Sequence, residues 1–306
     1  CSEITQNQSP TIVLEEKLED GKIVITKKPG DLVVCNLSSI NLGRAIPDGV
    51  IERLIPIQVR MLDNVIDLNE DRIEVLQAVE TNRKYRAIGL GTSGYHHLLA
   101  QKGIHWESEV AVKYSGDLYE MIAYHTIKAS LELAKEKGAY PLFKGSDWET
   151  GKYFDDRYDD ERWMKLKEEV KKHGLRNGYL LAVAPTGSTS IIAGTTASID
   201  PIFSRHYYEE KKDYKIPVTA PSISPETMWY YKNAYTIDQK WSIKQNAARQ
   251  KHIDQAISFN LYYPNNVKAR EMLENDLLAW KEGVKTIYYT RSTSSSDIED
   301  CEACSS

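Results

Sequence analysis

Apolar positions recur every three or four residues over 51–68 and 72–83 with charged residues between them, which predicts two amphipathic helices. The same period runs through 107–137, and Gly138 stands where a helix C-cap is expected. Further helices are predicted over 225–233 and 238–250. Another runs from a cap at Asn265-Asn266 to Glu282, with Gly283 as its stop. Residues 153–172 mix charge with aromatics and read as a partly helical surface segment. Short apolar runs at 32–35, 179–184, 256–262 and 284–289 read as strands, the first leaving through 36–43. Residues 4–31 are polar and turn-rich with one strand-like run at 23–25, and prolines 217, 221 and 225 punctuate an irregular segment. Strands alternating with helices predict an α/β class. Residues 292–300 are rich in Ser, Asp and Glu and poor in apolar residues, which predicts a flexible tail.

Composition narrows the function more than the fold. A chain of 306 residues, 41% hydrophobic and 27% charged, can bury a sizeable core. Its net charge of −5 and the lack of a basic stripe interleaved with aromatics argue against a nucleic-acid surface. No apolar run approaches the roughly 20 residues that span a bilayer. The first residues show no charged n-region and no apolar h-region of a secretory signal. Four cysteines, at 1, 35, 301 and 304, are too dispersed for a disulfide framework, so a reducing, cytoplasmic setting is expected.

The chemistry centres on Cys1. In an extended backbone Cys1 and Glu3 point to the same side, so one substrate can meet a thiol and a carboxylate together. The sulfur can serve as thiolate, hydrogen-atom carrier or redox centre, and the carboxylate as general base. Cys35 has two open readings, a second working thiol or a buried strand residue. Gly89-Leu90-Gly91-Thr92-Ser93-Gly94 has the formal spacing of a dinucleotide loop, but a charged helix end precedes it rather than a strand. Close helix packing accounts for those glycines better. Pro185-Thr186-Gly187-Ser188-Thr189-Ser190 follows an apolar run and offers clustered backbone N–H groups without bulky side chains, as a phosphate requires. An ordinary strand-to-helix turn would look the same. Cys301-Glu302-Ala303-Cys304 lacks the other half of a zinc site and suits a dithiol on a tether. Tyr288-Tyr289 is one of several tyrosine pairs and by itself reads as core. The seven histidines form no ligand cluster and there is no pair of ExxH motifs, so no metal site is expected in this chain.

Together these stretches resemble the large, catalytic subunit of class I ribonucleotide reductases. The resemblance is carried by CSEI at 1–4, VVCNLSSINLG at 33–43, RAIGLGTSGYHHLLA at 86–100, APTGSTSIIAG at 184–194, QKHIDQAISFNLYY at 250–263, VKTIYYTRS at 284–292 and the CxxC tail. It spans nearly the whole chain in order and covers only the C-terminal part of that subunit. It implies the C-terminal part of a ten-stranded α/β barrel over residues 1–291, with a redox tail over 292–306. Cys1 then looks like the thiyl-radical cysteine that takes the ribose 3′ hydrogen, and Glu3 like the base on the 3′ hydroxyl. Cys35 looks like one of two thiols that deliver reducing equivalents at C2′. Pro185, Thr186, Gly187, Ser188, Thr189 and Ser190 resemble the loop that binds the substrate diphosphate. Tyr288 and Tyr289 resemble the stacked relay, and Cys301 and Cys304 the dithiol that re-reduces the site. The implied partners are the N-terminal portion of the large subunit, a small subunit carrying the radical or metal cofactor, and thioredoxin or glutaredoxin. The family's asparagine two residues before the radical cysteine, and the thiol partner of Cys35, have no place in this chain. A split gene or an inserted element is therefore expected. A cobalamin-dependent class II reductase shares the thiols but has no use for a tyrosine relay, and a non-catalytic assembly fragment is the other alternative.

Overall fold

In the computed structural model, which describes residues 1–210, 212–213 and 215–293, strands β1 (Ile12–Glu19) and β2 (Lys22–Lys28) pair antiparallel as a hairpin with every residue exposed. Next come β3 (Leu37–Asn41), α1 (Leu42–Ala45), α2 (Ile51–Asn69), α3 (Leu76–Tyr85) and β4 (Gly89–Ser93). Helices α4 (Tyr95–Gln101), α5 (Glu109–Lys137), α6 (Asp147–Thr150), α7 (Lys152–Asp155), α8 (Glu161–His173) and α9 (Gly187–Ile192) follow. A second hairpin joins β5 (His206–Glu210) to β6 (Lys215–Thr219). The chain then runs through α10 (Gln239–Gln250), β7 (Leu261–Tyr263), α11 (Ala269–Lys281) and β8 (Thr290–Ser292).

Five parallel runs lie side by side in chain order. β3 pairs with β4, residue Leu37 opposite Gly89. Leu90 donates its N–H to the Leu180 carbonyl (2.9 Å), and Ala182 donates to Leu90 (3.1 Å). Val183 donates to Ala256 (3.1 Å) and Ser258 donates back to Val183 (2.9 Å). β7 continues the fourth run and pairs with β8, the last, residue Leu261 opposite Thr290. Parallel neighbours need long crossovers, and helices supply them. α2 presents Ile51, Ile55, Val59, Leu62 and Ile66 to the core and packs on α5, which packs in turn on α10. The Ser108 hydroxyl caps α5 by accepting from Ala111 N–H (3.1 Å), and Asp160 caps α8 by accepting from Trp163 N–H (3.0 Å).

A charge cluster ties these crossovers to the sheet. Asp63 on α2 is fully buried. Its Oδ1 accepts from Arg86 Nε (2.9 Å) and Asn177 Nδ2 (3.2 Å), and its Oδ2 from Arg176 Nε (3.2 Å). Arg86 itself ends α3 in a left-handed conformation at φ +45°. Removing one partner from a buried pair strands the others without compensation, which costs about 3–5 kcal/mol. Asp63→Ala is therefore expected to lower the unfolding free energy read from urea melts by that order, and a loss below about 1 kcal/mol would mean the cluster is merely solvated.

Several sequence expectations need correcting. The strand placed at 32–35 lies at Leu37–Asn41 instead, and Cys35 is exposed, so its buried-strand reading fails. Of the glycines at 89–94 only Gly94 packs on a helix, at the start of α4 and with a would-be Cβ 3.2 Å from Gly43 N in α1. Gly89 and Gly91 are inside β4, where a Cβ at Gly91 would sit 2.3 Å from the Ala182 carbonyl oxygen, and Gly94 takes φ +77°. Residues 153–172 are partly helical and lie at the surface as expected, but their aromatic face turns inward. Tyr153, Phe154, Tyr158 and Trp163 are buried, with Tyr158 stacked on Trp163 at 3.6 Å. Pro217 lies in β6 opposite Tyr208, a hairpin position where a missing N–H is tolerated. The helix placed at 225–233 is only a 3₁₀ turn at Met228–Tyr230. Lys268 rather than Asn265-Asn266 precedes α11.

Candidate active site

The chain's first residues lie along the start of the fourth parallel run. Ala256 donates its N–H to the Glu3 carbonyl (2.9 Å), and Ser2 N–H donates to Ser258 Oγ (2.7 Å). The Ser258 hydroxyl in turn donates to Glu3 Oε2. Glu3 is fully buried, and its Oε1 has no hydrogen-bond partner among the described residues. One carboxylate oxygen is thus held and the other is left for a proton.

Cys1 is exposed, its Sγ 3.9 Å from the Tyr288 hydroxyl. Tyr288 and Tyr289 place their ring centroids 3.8 Å apart at 35°. Tyr289 is 49% exposed, with the Arg291 guanidinium carbon 5.3 Å from its ring centroid. The hydrogen bond with Tyr289, then burial and the Glu3 charge, raise the Tyr288 phenol above its ordinary pKa. Its proton therefore does not leave alone at neutral pH. An unbroken line of oxidisable groups runs from the surface at Tyr289 through Tyr288 to the thiol. The Cys35 thiol is pushed up by burial and then by the charge of Glu3, which keeps it an S–H at neutral pH.

The segment at Pro185–Ser190 is not an open loop beyond its first turn. It is the entrance to α9. Thr186 sits at φ +48°, its Oγ1 accepting from Ser198 N–H (2.7 Å), while the buried Ser190 hydroxyl donates to the Gly187 carbonyl (2.9 Å). Those two side chains hold the turn. Gly187, Ser188 and Thr189 are exposed, and nothing lies within 4 Å of where a Gly187 Cβ would stand. Val183, just before the turn, donates to Ala256, the residue that donates to Glu3. Cys301 and Cys304 lie outside the described residues. Among the described residues, no group of three or more His, Cys, Asp or Glu is placed to hold a metal ion.

Three residues at this site escaped the sequence reading: Ser258, Asn260 and Asp200. Ser258 and Asn260 are polar residues two apart in an otherwise apolar run, which puts them on one face. That alternation was the available signal. Nothing in sequence marked Asp200, whose carboxyl burial pushes up to about 6.

Residues 1–290 match the family model described as ribonucleotide reductase, barrel domain. The chain is 48% identical over 313 residues to a ribonucleoside-diphosphate reductase subunit alpha of Treponema pallidum, a match covering 100% of this chain and 37% of the relative. It is 43% identical over 284 residues to the protein of the same name from Helicobacter pylori, covering 88% and 36% of the two chains. A Bacillus subtilis protein of that name is 31% identical over 326 residues, covering 99% and 45%. The chain thus spans well under half the length of these relatives, and it belongs to the ribonucleotide reductase barrel-domain family.

Proposed function

We propose that this chain is the C-terminal portion of a class I large subunit that reduces ribonucleoside diphosphates to deoxyribonucleoside diphosphates in the cytoplasm. The observation that carries the proposal is the 3.9 Å approach of Cys1 Sγ to the Tyr288 hydroxyl, at the inner end of a close tyrosine pair whose rings are tilted by 35°. A tyrosyl radical arriving at Tyr288 takes the hydrogen atom of the Cys1 thiol, giving a phenol and a thiyl radical. The thiyl takes the ribose 3′ hydrogen, and Glu3 accepts the 3′ hydroxyl proton. The 2′ hydroxyl leaves as water with a proton from Cys35, whose raised pKa keeps that proton available. Two electrons from Cys35 and a second thiol beyond this chain, with that thiol's proton, then reduce C2′ while the two sulfurs join as a disulfide, and Glu3 returns its proton to the 3′ oxygen. Cys1 gives back the 3′ hydrogen, is left again as a thiyl radical, and recovers its own hydrogen from Tyr288 as the radical passes back out. Backbone N–H groups at Gly187, Ser188 and Thr189 receive the diphosphate, with Pro185, Thr186 and Ser190 shaping the turn. Cys301 and Cys304 reduce the disulfide and are themselves serviced by thioredoxin or glutaredoxin.

The five parallel runs make half of a ten-stranded barrel, and the N-terminal portion of the subunit contributes the other half. Residues 292–306 form the redox tail. The radical arises on a partner small subunit, consistent with an entrance at the exposed Tyr289. Leu273, Leu277 and Trp280, exposed on one face of α11 shortly before the tyrosines, give that partner an apolar landing surface. The test is cytidine diphosphate reduction by this chain combined with the rest of the large subunit, a small subunit and dithiothreitol. Deoxycytidine diphosphate is the expected product. Pieces that associate and yield none would leave a non-catalytic assembly fragment.

A further inference from the structure

Adjacent residues of a regular strand point to opposite faces, so two neighbouring tyrosines cannot stack without a break in the ladder. The break is visible in the hydrogen bonds. Tyr288 N–H donates to the Phe259 carbonyl (2.8 Å), and the Tyr289 carbonyl accepts from Leu261 N–H (2.9 Å). Between these bonds the Tyr289 N–H has no main-chain acceptor, and the Asn260 side-chain oxygen takes it at 3.2 Å. Asn260 is itself clamped. Its backbone N–H donates to Asp200 Oδ1 (3.2 Å) and its side-chain amide to Asp200 Oδ2. The Tyr262 hydroxyl also donates to Asp200 Oδ2 (3.4 Å). Both Asn260 and Asp200 are buried, so neither has water to turn to.

We propose that Asn260, fixed in orientation by Asp200, is a positioning residue that holds the backbone of Tyr288-Tyr289 out of strand register so that the two rings stack towards Cys1. The inference rests on the relay reading above. The carboxylate accepts only, so it forces the amide of Asn260 to turn its NH₂ inward and its oxygen to Tyr289. Neither residue touches the substrate turn, so the effect falls on radical delivery and not on nucleotide binding.

The test compares three variants in the reconstituted holoenzyme with the parent and with Tyr288→Phe. Asn260→Ala is expected to lower kcat about a hundredfold, the scale of a small misplacement of reacting groups, with KM for the nucleotide unchanged. Asp200→Asn sets two amides against each other and should lower kcat similarly. Asp200→Asn combined with Asn260→Asp exchanges the two groups and keeps the three hydrogen bonds that run from residue 200 through residue 260 to Tyr289, while the Tyr262 hydroxyl changes from donor to acceptor. It should restore kcat to within a few-fold of the parent. Parent-like kcat in Asn260→Ala would overturn the inference. So would a loss expressed only in KM, or a folded double variant that is no better than the single ones. If Tyr288→Phe turns over like the parent, the relay reading itself has failed. If Tyr288→Phe is dead while Asn260→Ala is normal, only the positioning role has failed.

Discussion

Cys1→Ser is expected to remove ribonucleotide reduction, by at least ~1,000-fold, which is ~4 kcal/mol or more of barrier. A serine hydroxyl holds its hydrogen too tightly for a phenoxyl radical to take it, so the chain of transfer stops at Tyr288. Folding should be unaffected. Cys1 is exposed, and its sulfur has the Tyr288 hydroxyl as its one hydrogen-bond partner among the described residues, so exchanging sulfur for oxygen disturbs no core packing. Surface changes of that kind stay within about 0.5 kcal/mol. Assays of nucleotide reduction beside urea melts of the same preparations would read both halves. Activity surviving in Cys1→Ser would remove this residue from the centre of the mechanism.

Tyr288→Phe should be nearly as damaging, with turnover falling at least ~100-fold, or about 3 kcal/mol of barrier. The substitution deletes one oxygen. The ring contact with Tyr289 at 3.8 Å can persist, while Cys1 loses the one group, among the described residues, that its sulfur touches by a hydrogen bond and that could take its hydrogen. Nucleotide binding should be unchanged, because the turn at Gly187, Ser188 and Thr189 is built from α9 and not from the tyrosine run. Turnover that survives in Tyr288→Phe, and depends on added cobalamin, would move the chain to the class II reductases.

Long-period features were readable from sequence because they repeat. The stripe of α2 and the length of α5 with its Gly138 stop were found nearly to the residue. The strands were harder. Buried parallel strands are short and lack alternation. The run at 32–35 therefore looked more apolar than the true strand at Leu37–Asn41, which carries two serines and an asparagine. β4 was misread as a site of helix packing because its glycines hide a strand: a Cβ at Gly91 would stand 2.3 Å from the carbonyl oxygen of Ala182 on the neighbouring run. The site shows the same division. Cys1 and Glu3 stood out by their spacing, whereas Ser258, Asn260 and Asp200 act through contacts 29 to 256 residues away in sequence. No local pattern encodes such a meeting. Tyr288-Tyr289 was unremarkable among other tyrosine pairs, since its distinction lies in a ladder break visible only in three dimensions.

One spectrum would bear on the thiol–tyrosine contact without relying on lost activity. The holoenzyme would carry 3-aminotyrosine at position 288, where a weaker O–H bond traps an arriving radical. Electron paramagnetic resonance would be recorded after adding the small subunit and cytidine diphosphate. An aminotyrosyl signal is expected at 288, both with Cys1 present and in Cys1→Ser, because the tyrosine precedes the thiol. Normal turnover of the labelled protein with no such signal would contradict a relay through Tyr288 to Cys1.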